Sequence, residues 1–195
     1  MDGYFSEPIK KVIAGKFHSL FLTESNKLYG LGYNRYGQLG ISNSLYVHAE
    51  SPVEIFTDGI QIKDVVSGSH HTLVLSEDNE LYGFGAKMHG QLDGKSGESA
   101  EEQCSLLPIK LPDSMGSSKI VSIKASNLRS QLTTEDGQVW FWGGYFYDGR
   151  AKRSAGLKKY IDGFNLLNEE KGIPPGKRIV SHGMGFAHDT VMIED

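Results

Sequence analysis

Three histidines recur at one position of a repeated pattern, and they are the first candidates for chemistry. His18 and His71 lie 53 residues apart, and His188 lies 117 residues after His71. Imidazole is a common zinc ligand and general base. Equivalent residues of successive repeat units lie far apart in space, however, and Arg129 takes this position in a further copy. We therefore expect a structural role for these histidines, with no metal site and no catalytic residue.

A second candidate for chemistry is the phrase Gly94-Lys95-Ser96, which matches the end of a phosphate-binding loop. That motif needs a glycine five positions before Gly94, and His89 stands there. No helix is predicted after the phrase, although the motif requires one. We therefore expect neither a nucleotide nor any other cofactor.

An insertion late in the chain combines aromatic and basic side chains. The segment 144–156 stands where earlier copies of the repeat have a Gly-Gln-Leu phrase. Insertions in repeat proteins tend to lie on the binding face, and aromatic residues beside arginine are typical of protein-binding hot spots. We predict that a protein partner binds here, through Tyr145, Phe146, Tyr147, Asp148, Arg150, Lys152 and Arg153.

The elements that position these residues belong to an internal repeat. Residues 12–40 align without a gap with residues 65–93 at a constant offset of 53, and 14 of the 29 aligned positions are identical. A third, weaker copy covers residues 123–143, and a fourth begins with Gly185 and His188. Self-similarity at a period of about 50 residues indicates a repeat architecture.

Each copy has the pattern of short strands joined by tight turns. Glycine is frequent, at 24 of 195 residues, and polar turn residues separate the apolar runs. Four strands in about 50 residues predict a propeller blade. We predict strands at 62–66, 71–75, 81–84 and 108–111 in the second copy, and an outer strand at 52–55 in the first.

These observations predict an all-β fold, a partial β-propeller of about three and a half blades, each with four antiparallel strands. The chain would form one domain over residues 1–195. The predicted blades are residues 12–55, 64–111 and 120–174, with an incomplete fourth at 179–195.

The repeated phrases resemble those of the regulator of chromosome condensation repeat family. Residues 30–40 read GLGYNRYGQLG, similar to that family's G-x-G-x-N-x-x-G-Q-L-G signature, and residues 14–20 read AGKFHSL, similar to its A-G-x-x-H-[ST]-L half. The resemblance implies structural roles for the recurring residues, namely Gly15, His18, Gly32, Gly37, Gly40, Gly68, His71, Gly85, Gly90, Gly143, Gly185 and His188.

The family usually closes seven blades into a ring, so the resemblance implies that other protein surface covers this shorter array. Three arrangements stay open. The chain is a piece of a longer polypeptide, it pairs with a second half-propeller or with itself, or it is held open against a larger complex.

The resemblance also implies three hypotheses for function. The first is a protein-interaction or scaffold module, without covalent chemistry. The second is a guanine nucleotide exchange factor, because residues 142–149 resemble an insertion that, in the family's founding member, enters the small GTPase Ran and drives nucleotide release. In that phrase Tyr147 stands where the family has a basic residue. The third is a chromatin-associated protein that uses Arg150, Lys152 and Arg153.

Charge and composition limit the classes of partner and the cellular compartments that we expect. The net charge of −4 gives no general attraction to nucleic acid, which we do not expect as a partner. Cys104 is the only cysteine, which is typical of a reducing compartment. The sequence has neither a signal-peptide pattern nor an apolar run of membrane-spanning length. We therefore expect an intracellular protein, cytoplasmic or nuclear, that is not secreted and not inserted in a membrane.

Overall fold

The architecture is seen in a computed structural model, which describes residues 4–95, 102–147, 158–160, 163–167, 177–184 and 189–194. Within these ranges the protein consists of β-strands and one 3-10 turn, Asp113–Met115. The first sheet contains β1 (Ile9–Ala14), β2 (His18–Thr23), β3 (Leu28–Tyr33) and β4 (His48–Ile55). The second contains β5 (Ile62–Ser67), β6 (His71–Ser76), β7 (Leu81–Gly85) and β8 (Gln103–Pro108).

The third sheet departs from this sequential order. It contains β9 (Ile120–Ser126), β10 (Arg129–Thr134), β11 (Val139–Trp142) and β14 (Asn165–Leu166). Between β11 and β14 the chain forms a separate two-stranded sheet from β12 (Tyr145–Tyr147) and β13 (Lys158–Tyr160). A last pair, β15 (Arg178–Met184) and β16 (Asp189–Glu194), follows.

The all-β fold of four-stranded antiparallel blades is confirmed, and one predicted outer strand is misplaced. Strands β5, β6 and β7 each end one residue beyond the predicted bounds. The bounds predicted for this outer strand, 108–111, are wrong, because β8 spans Gln103–Pro108. The Ile109 N–H still donates to the Leu81 carbonyl at 2.7 Å, and the 3-10 turn follows at Asp113–Met115. Ile109 is apolar for a different reason: it is buried in the core between the second and third blades.

The blades pack face to face through two apolar layers. Leu20, Leu22 and Leu28 of the first blade pack in one cluster with Val65 and Phe84 of the second. An equivalent cluster joins the second blade to the third. Alternating strand residues supply both layers, since successive side chains of a strand point to opposite faces of its sheet.

Asparagine side chains also join the blades at one end of the sheets. Asn26 in the β2–β3 turn accepts from the Ile62 N–H at 2.9 Å and donates to the Ile60 carbonyl at 2.8 Å. Its equivalent, Asn79, accepts from the Ile120 N–H at 2.7 Å. Gly137 holds this turn position in the third copy, where no amide side chain exists to make such a link.

The opposite end of the sheets gathers the connections that vary most between copies. Because neighbouring strands run antiparallel, the β1–β2 and β3–β4 connections of the first blade lie at the same end. The matching connections are β5–β6 and β7–β8 in the second blade, and β9–β10 and β11–β14 in the third. We call this end the loop face.

Among the described residues, no helix has the length and apolar character needed to span a membrane.

Candidate protein-binding site

The start of the predicted partner-binding segment forms strand β12 on the loop face, and it pairs with β13 beyond the segment. In the antiparallel pair β12–β13, Tyr145 is opposite Tyr160, Phe146 is opposite Lys159 and Tyr147 is opposite Lys158. We call these six residues the insertion hairpin. The other predicted contact residues of this segment, Asp148, Arg150, Lys152 and Arg153, lie outside the described residues.

The base of the insertion hairpin is attached to the second blade by backbone hydrogen bonds. The Gly144 N–H donates to the His89 carbonyl at 2.9 Å, and the Gly163 N–H donates to the Gly94 carbonyl at 2.7 Å. The two contacts hold the chain on both sides of the hairpin. The insertion therefore rises from the seam between two blades, and its orientation depends on how those blades pack.

Trp142 fixes the same seam from the interior. Its indole Nε1–H donates to the Gln91 carbonyl at 3.0 Å, and the Ser130 hydroxyl donates to the same carbonyl at 2.6 Å. Trp142 is fully buried, and its ring lies 4.8 Å from that of Phe164, centroid to centroid. A buried indole needs such a partner for its N–H, so Trp142 couples the third blade to the second.

Gly143 lets the two backbones meet at this point. Its φ is +77°, a conformation that L side chains rarely adopt. A Cβ built there would lie 2.7 Å from the Gln91 Cα and 2.8 Å from the Leu128 carbonyl oxygen. Any side chain at Gly143 would therefore push apart the contact that supports the insertion hairpin.

The recurring histidines occupy the seams between blades. The Nε2 atom of His18 shares a hydrogen bond with the Ser67 hydroxyl at 2.8 Å, and that of His71 shares one with the Ser130 hydroxyl at 3.0 Å. In each pair the serine belongs to the following blade. This placement fits the structural role expected for the two histidines, while Gly185 and His188 lie outside the described residues.

Burial keeps both imidazoles neutral. It lowers the pKa of His18 to about 4, with a smaller effect from His70, and it lowers the pKa of His71 to about 3. Each ring folds back over the glycine three positions earlier, where a Cβ would overlap the imidazole; these glycines are Gly15 and Gly68. The spacing of the repeated Gly-x-x-His phrase thus follows from side-chain packing.

The other repeat glycines with unusual backbone conformations lie in the loops or at the loop-face ends of β3 and β7. Positive φ values occur at Gly32, Gly37, Gly40, Gly85 and Gly90. No group of three or more histidine, cysteine, aspartate or glutamate residues in the described ranges is placed to hold a metal ion.

The segment at Gly94 is arranged to close a loop. The Gly94 N–H donates to the Gly90 carbonyl at 2.9 Å, and the Lys95 N–H donates to the Asp93 carboxylate at 3.0 Å. These amides are therefore already paired, and a carboxylate lies where a phosphate-binding loop would present N–H groups to an anion.

A second group of side chains on the loop face was missed by sequence reasoning. The rings of Phe17, Tyr33, Tyr36 and His70 pack together across the seam between the first and second blades. We call these four residues the aromatic cluster. The four residues come from three separate segments of the chain, so no contiguous sequence motif predicts the cluster.

Comparison with family models identifies the repeats. One model described as "Regulator of chromosome condensation (RCC1) repeat" matches residues 25–75. A second model with the same description matches residues 9–38 and 62–91.

Similar proteins extend the match along the chain. The Arabidopsis thaliana protein "RCC1 domain-containing protein RUG3, mitochondrial" is 28% identical over 188 residues, which are 95% of this chain and 40% of that protein. The crystal structure of human WBSCR16 superposes on 98% of the chain with a TM-score of 0.75 and 20% identity. That of Prp20p from Saccharomyces cerevisiae superposes on 98% with a TM-score of 0.73 and 22% identity. The chain spans 46% and 44% of these two proteins, less than half of each relative.

Proposed function

The chain belongs to the regulator of chromosome condensation (RCC1) repeat family, and from that membership we propose that it is a protein-interaction module that binds its partner through the loop face. The insertion hairpin is the main contact in this proposal. The observation that carries it is the attachment of the hairpin to the second blade at Gly144 and Gly163.

Rigid attachment favours binding because groups that become ordered on association lose conformational entropy, which weakens the affinity. A hairpin fixed at both sides of its base loses little further entropy when a partner binds. The composition of the insertion adds aromatic and basic side chains, which dominate hot spots at protein interfaces. Together these features support binding by a preformed surface.

A variant with a trimmed tip tests the proposal. Replacing residues 148–157 by Asn-Gly joins Tyr147 to Lys158 through a two-residue turn, which is compatible with an antiparallel pair. The variant removes Asp148, Arg150, Lys152 and Arg153 and keeps the hairpin strands. The full chain should capture partners from native extract, and the trimmed variant should lose them. The urea midpoint of the trimmed variant should equal that of the full chain.

The matched control is Phe56→Ala, which removes an exposed aromatic side chain beyond the end of β4, away from the loop face. It should leave capture intact. Equal capture by the full chain and the trimmed variant would contradict the proposal.

The insertion hairpin also favours a second candidate, a guanine nucleotide exchange factor for a Ran-like small GTPase. The hairpin begins directly after Trp142-Gly143-Gly144, where the exchange-factor phrase of the family begins. Prp20p from Saccharomyces cerevisiae, which shares this fold, is a protein with binding properties to Gsp1p and histones. Such activity would need shape and charge that stabilise a nucleotide-free GTPase.

Release of a fluorescent guanine nucleotide from a panel of small GTPases tests this candidate. Acceleration by the chain that disappears in the variant Tyr145→Ala/Asp148→Ala would support it. No acceleration, or acceleration that this double substitution leaves unchanged, would exclude it and leave the interaction module in place.

We propose an intracellular location, based on the single cysteine. Microscopy of the tagged chain would distinguish cytoplasm, nucleus and mitochondrion, the last being the compartment in the name of RUG3. A secreted product would contradict the proposal.

A further inference from the structure

The four rings of the aromatic cluster form a closed cycle. The ring centroids of Phe17 and Tyr33 are 6.2 Å apart, as are those of Tyr33 and Tyr36, with interplanar angles of 77° and 70°. Tyr36 and His70 are 4.9 Å apart at 74°, and His70 and Phe17 are 6.2 Å apart at 49°. Three of these contacts are edge-to-face and the fourth is tilted, and contacts of this kind stabilise each ring against its neighbours.

The backbone beneath the rings is also fixed. The Tyr33 N–H donates to the Phe17 carbonyl at 2.9 Å, and the Tyr36 N–H donates to the side-chain Oε1 of Gln38 at 2.9 Å. Gln38 is fully buried. His70 enters from the second blade, where its carbonyl accepts from the Ala86 N–H at 2.8 Å. The backbone that carries the rings is therefore held in place on both sides of the seam, and the rings meet across it.

An exposed apolar strip lies on the same face, in the β3–β4 connection. Phe17 is 57% exposed, and Leu45, Tyr46 and Val47 of the β3–β4 connection are 77%, 43% and 57% exposed. The Asn34 N–H donates to the Val47 carbonyl at 2.8 Å, which holds this connection beside the end of β3. Exposed apolar patches with polar borders mark interaction sites on soluble proteins.

The repeat scaffold does not require these rings. At the positions of Tyr33 and Tyr36 the second copy has Ala86 and His89, although the flanking Gly-x-Gly and Gly-Gln-Leu phrases are identical. The second blade forms the same four-stranded sheet without a tyrosine at either position. The rings of the first copy are therefore dispensable for folding a blade, and they need another explanation.

Positive charge borders the cluster. The Lys16 ammonium lies 5.0 Å from the centroid of the Phe17 ring, and Arg35 is exposed between Tyr33 and Tyr36 in the sequence. Burial and the nearby Lys16 charge lower the pKa of His70. Across an interface, complementary charge steers the encounter and selects the partner, so this border favours carboxylates.

We propose that the aromatic cluster is a second docking site, which binds a partner segment that carries a large apolar side chain flanked by aspartate or glutamate. The apolar side chain packs on the exposed Phe17 ring and the strip beside it. The flanking carboxylates approach Lys16 and Arg35. The inference rests on the proposed role as an interaction module, but it concerns a surface separate from the insertion hairpin.

Selection from a random library of twelve-residue peptides, displayed on phage and bound by the full chain, tests the site. We expect enrichment of peptides with Phe, Trp or Leu among Asp and Glu. A synthetic, fluorescently labelled copy of the leading peptide should bind at least tenfold more weakly to Phe17→Ala, a loss within the range of interface hot spots. Phe56→Ala, which removes a more exposed aromatic side chain away from the loop face, should bind within twofold of the parent chain.

Charge reversal separates recognition from folding. Lys16→Glu leaves all four rings in place, and it should weaken the acidic peptide severalfold at 0.05 M salt but little at 0.5 M, because salt screens exposed charges. Enrichment of basic peptides, absence of any enrichment, or equal binding by Phe17→Ala and Phe56→Ala would overturn the proposal. Tighter binding of a twelve-nucleotide single-stranded RNA than of the peptide would overturn it as well.

The tip-trimmed variant distinguishes the two proposals. It should bind the acidic peptide like the full chain, because the aromatic cluster does not include the insertion hairpin. If peptide binding fails while tip-dependent partner capture persists, only the second docking site is lost. If the peptide binds and the tip-trimmed variant still captures every partner, the result contradicts the role proposed for the insertion hairpin and leaves the second docking site in place.

Discussion

Replacing Gly143 by alanine places a methyl group at the contact that supports the insertion hairpin. The chain offers a matched control in Gly59, whose φ of +76° equals that of Gly143 within one degree. A Cβ at Gly59 would meet no atom within 4 Å, whereas a Cβ at Gly143 would lie 2.7 Å from the Gln91 Cα. The pair of substitutions therefore separates backbone strain from steric overlap.

The expected magnitudes follow from these two contributions. A non-glycine residue in the left-handed region costs about 1–2 kcal/mol, and this cost applies to both alanine variants. Forcing an extra methyl group into a packed site costs about 1–3 kcal/mol more. We expect Gly59→Ala to lower the free energy of unfolding by about 1–2 kcal/mol and Gly143→Ala to lower it by about 2–5 kcal/mol.

Urea denaturation followed by tryptophan fluorescence measures the difference, since Trp142 lies beside the substituted residue. With a slope of about 2 kcal/mol per molar urea, the midpoint of Gly143→Ala should lie about 0.5–1.5 M below that of Gly59→Ala. Equal midpoints would refute the claim that the third blade meets the second at Gly143. Faster amide hydrogen exchange in the insertion hairpin is expected for Gly143→Ala alone.

The seams between blades yield further predictions. The pKa values of about 4 for His18 and about 3 for His71 lie below the usual 6.5, so the unfolded chain binds more protons. The stability contributed by the two neutral histidines is therefore fully present above pH 6.5, and the free energy of unfolding falls by about 2–3 kcal/mol per pH unit as the pH drops toward 4. In urea titrations His18→Gln should halve this slope. A slope equal to that of the parent chain would contradict the assignment. Asn79→Gly keeps the positive φ and removes the acceptor of the buried Ile120 N–H, which should cost about 1–3 kcal/mol. Its control, Asp58→Gly, also has a positive φ, is exposed and should be neutral in thermal denaturation.

The blades could be predicted from the repeated sequence because most residues shared by the copies make contacts within one sheet. The Gly-x-x-His spacing recurs since the imidazole folds onto the glycine, which is a contact within four residues. Links between blades were harder to predict. Asn79 is a residue type that is typical of local turns, but its side chain accepts a hydrogen bond from the Ile120 N–H, 41 residues further along the chain.

The aromatic cluster could have been found from the sequence by reversing the usual comparison. Positions that agree between copies support the fold, whereas Tyr33 and Tyr36 stand where the second copy has Ala86 and His89. Such a difference in an otherwise conserved phrase is a signal for binding. Its location could not be predicted, because the approach of His70 to Tyr36 depends on how two blades pack.

Site-specific photo-cross-linking in native extract tests the loop face most directly. A benzophenone side chain at Met88, which is 38% exposed and precedes the residue that bonds Gly144, reports on partners beside the insertion hairpin. The same group at Phe56 reports on the surface away from the loop face. We predict a discrete cross-linked partner from Met88 that is missing from Phe56 and is lost when residues 148–157 are trimmed. The same partner cross-linked equally from Phe56, or retained after trimming, would contradict the account.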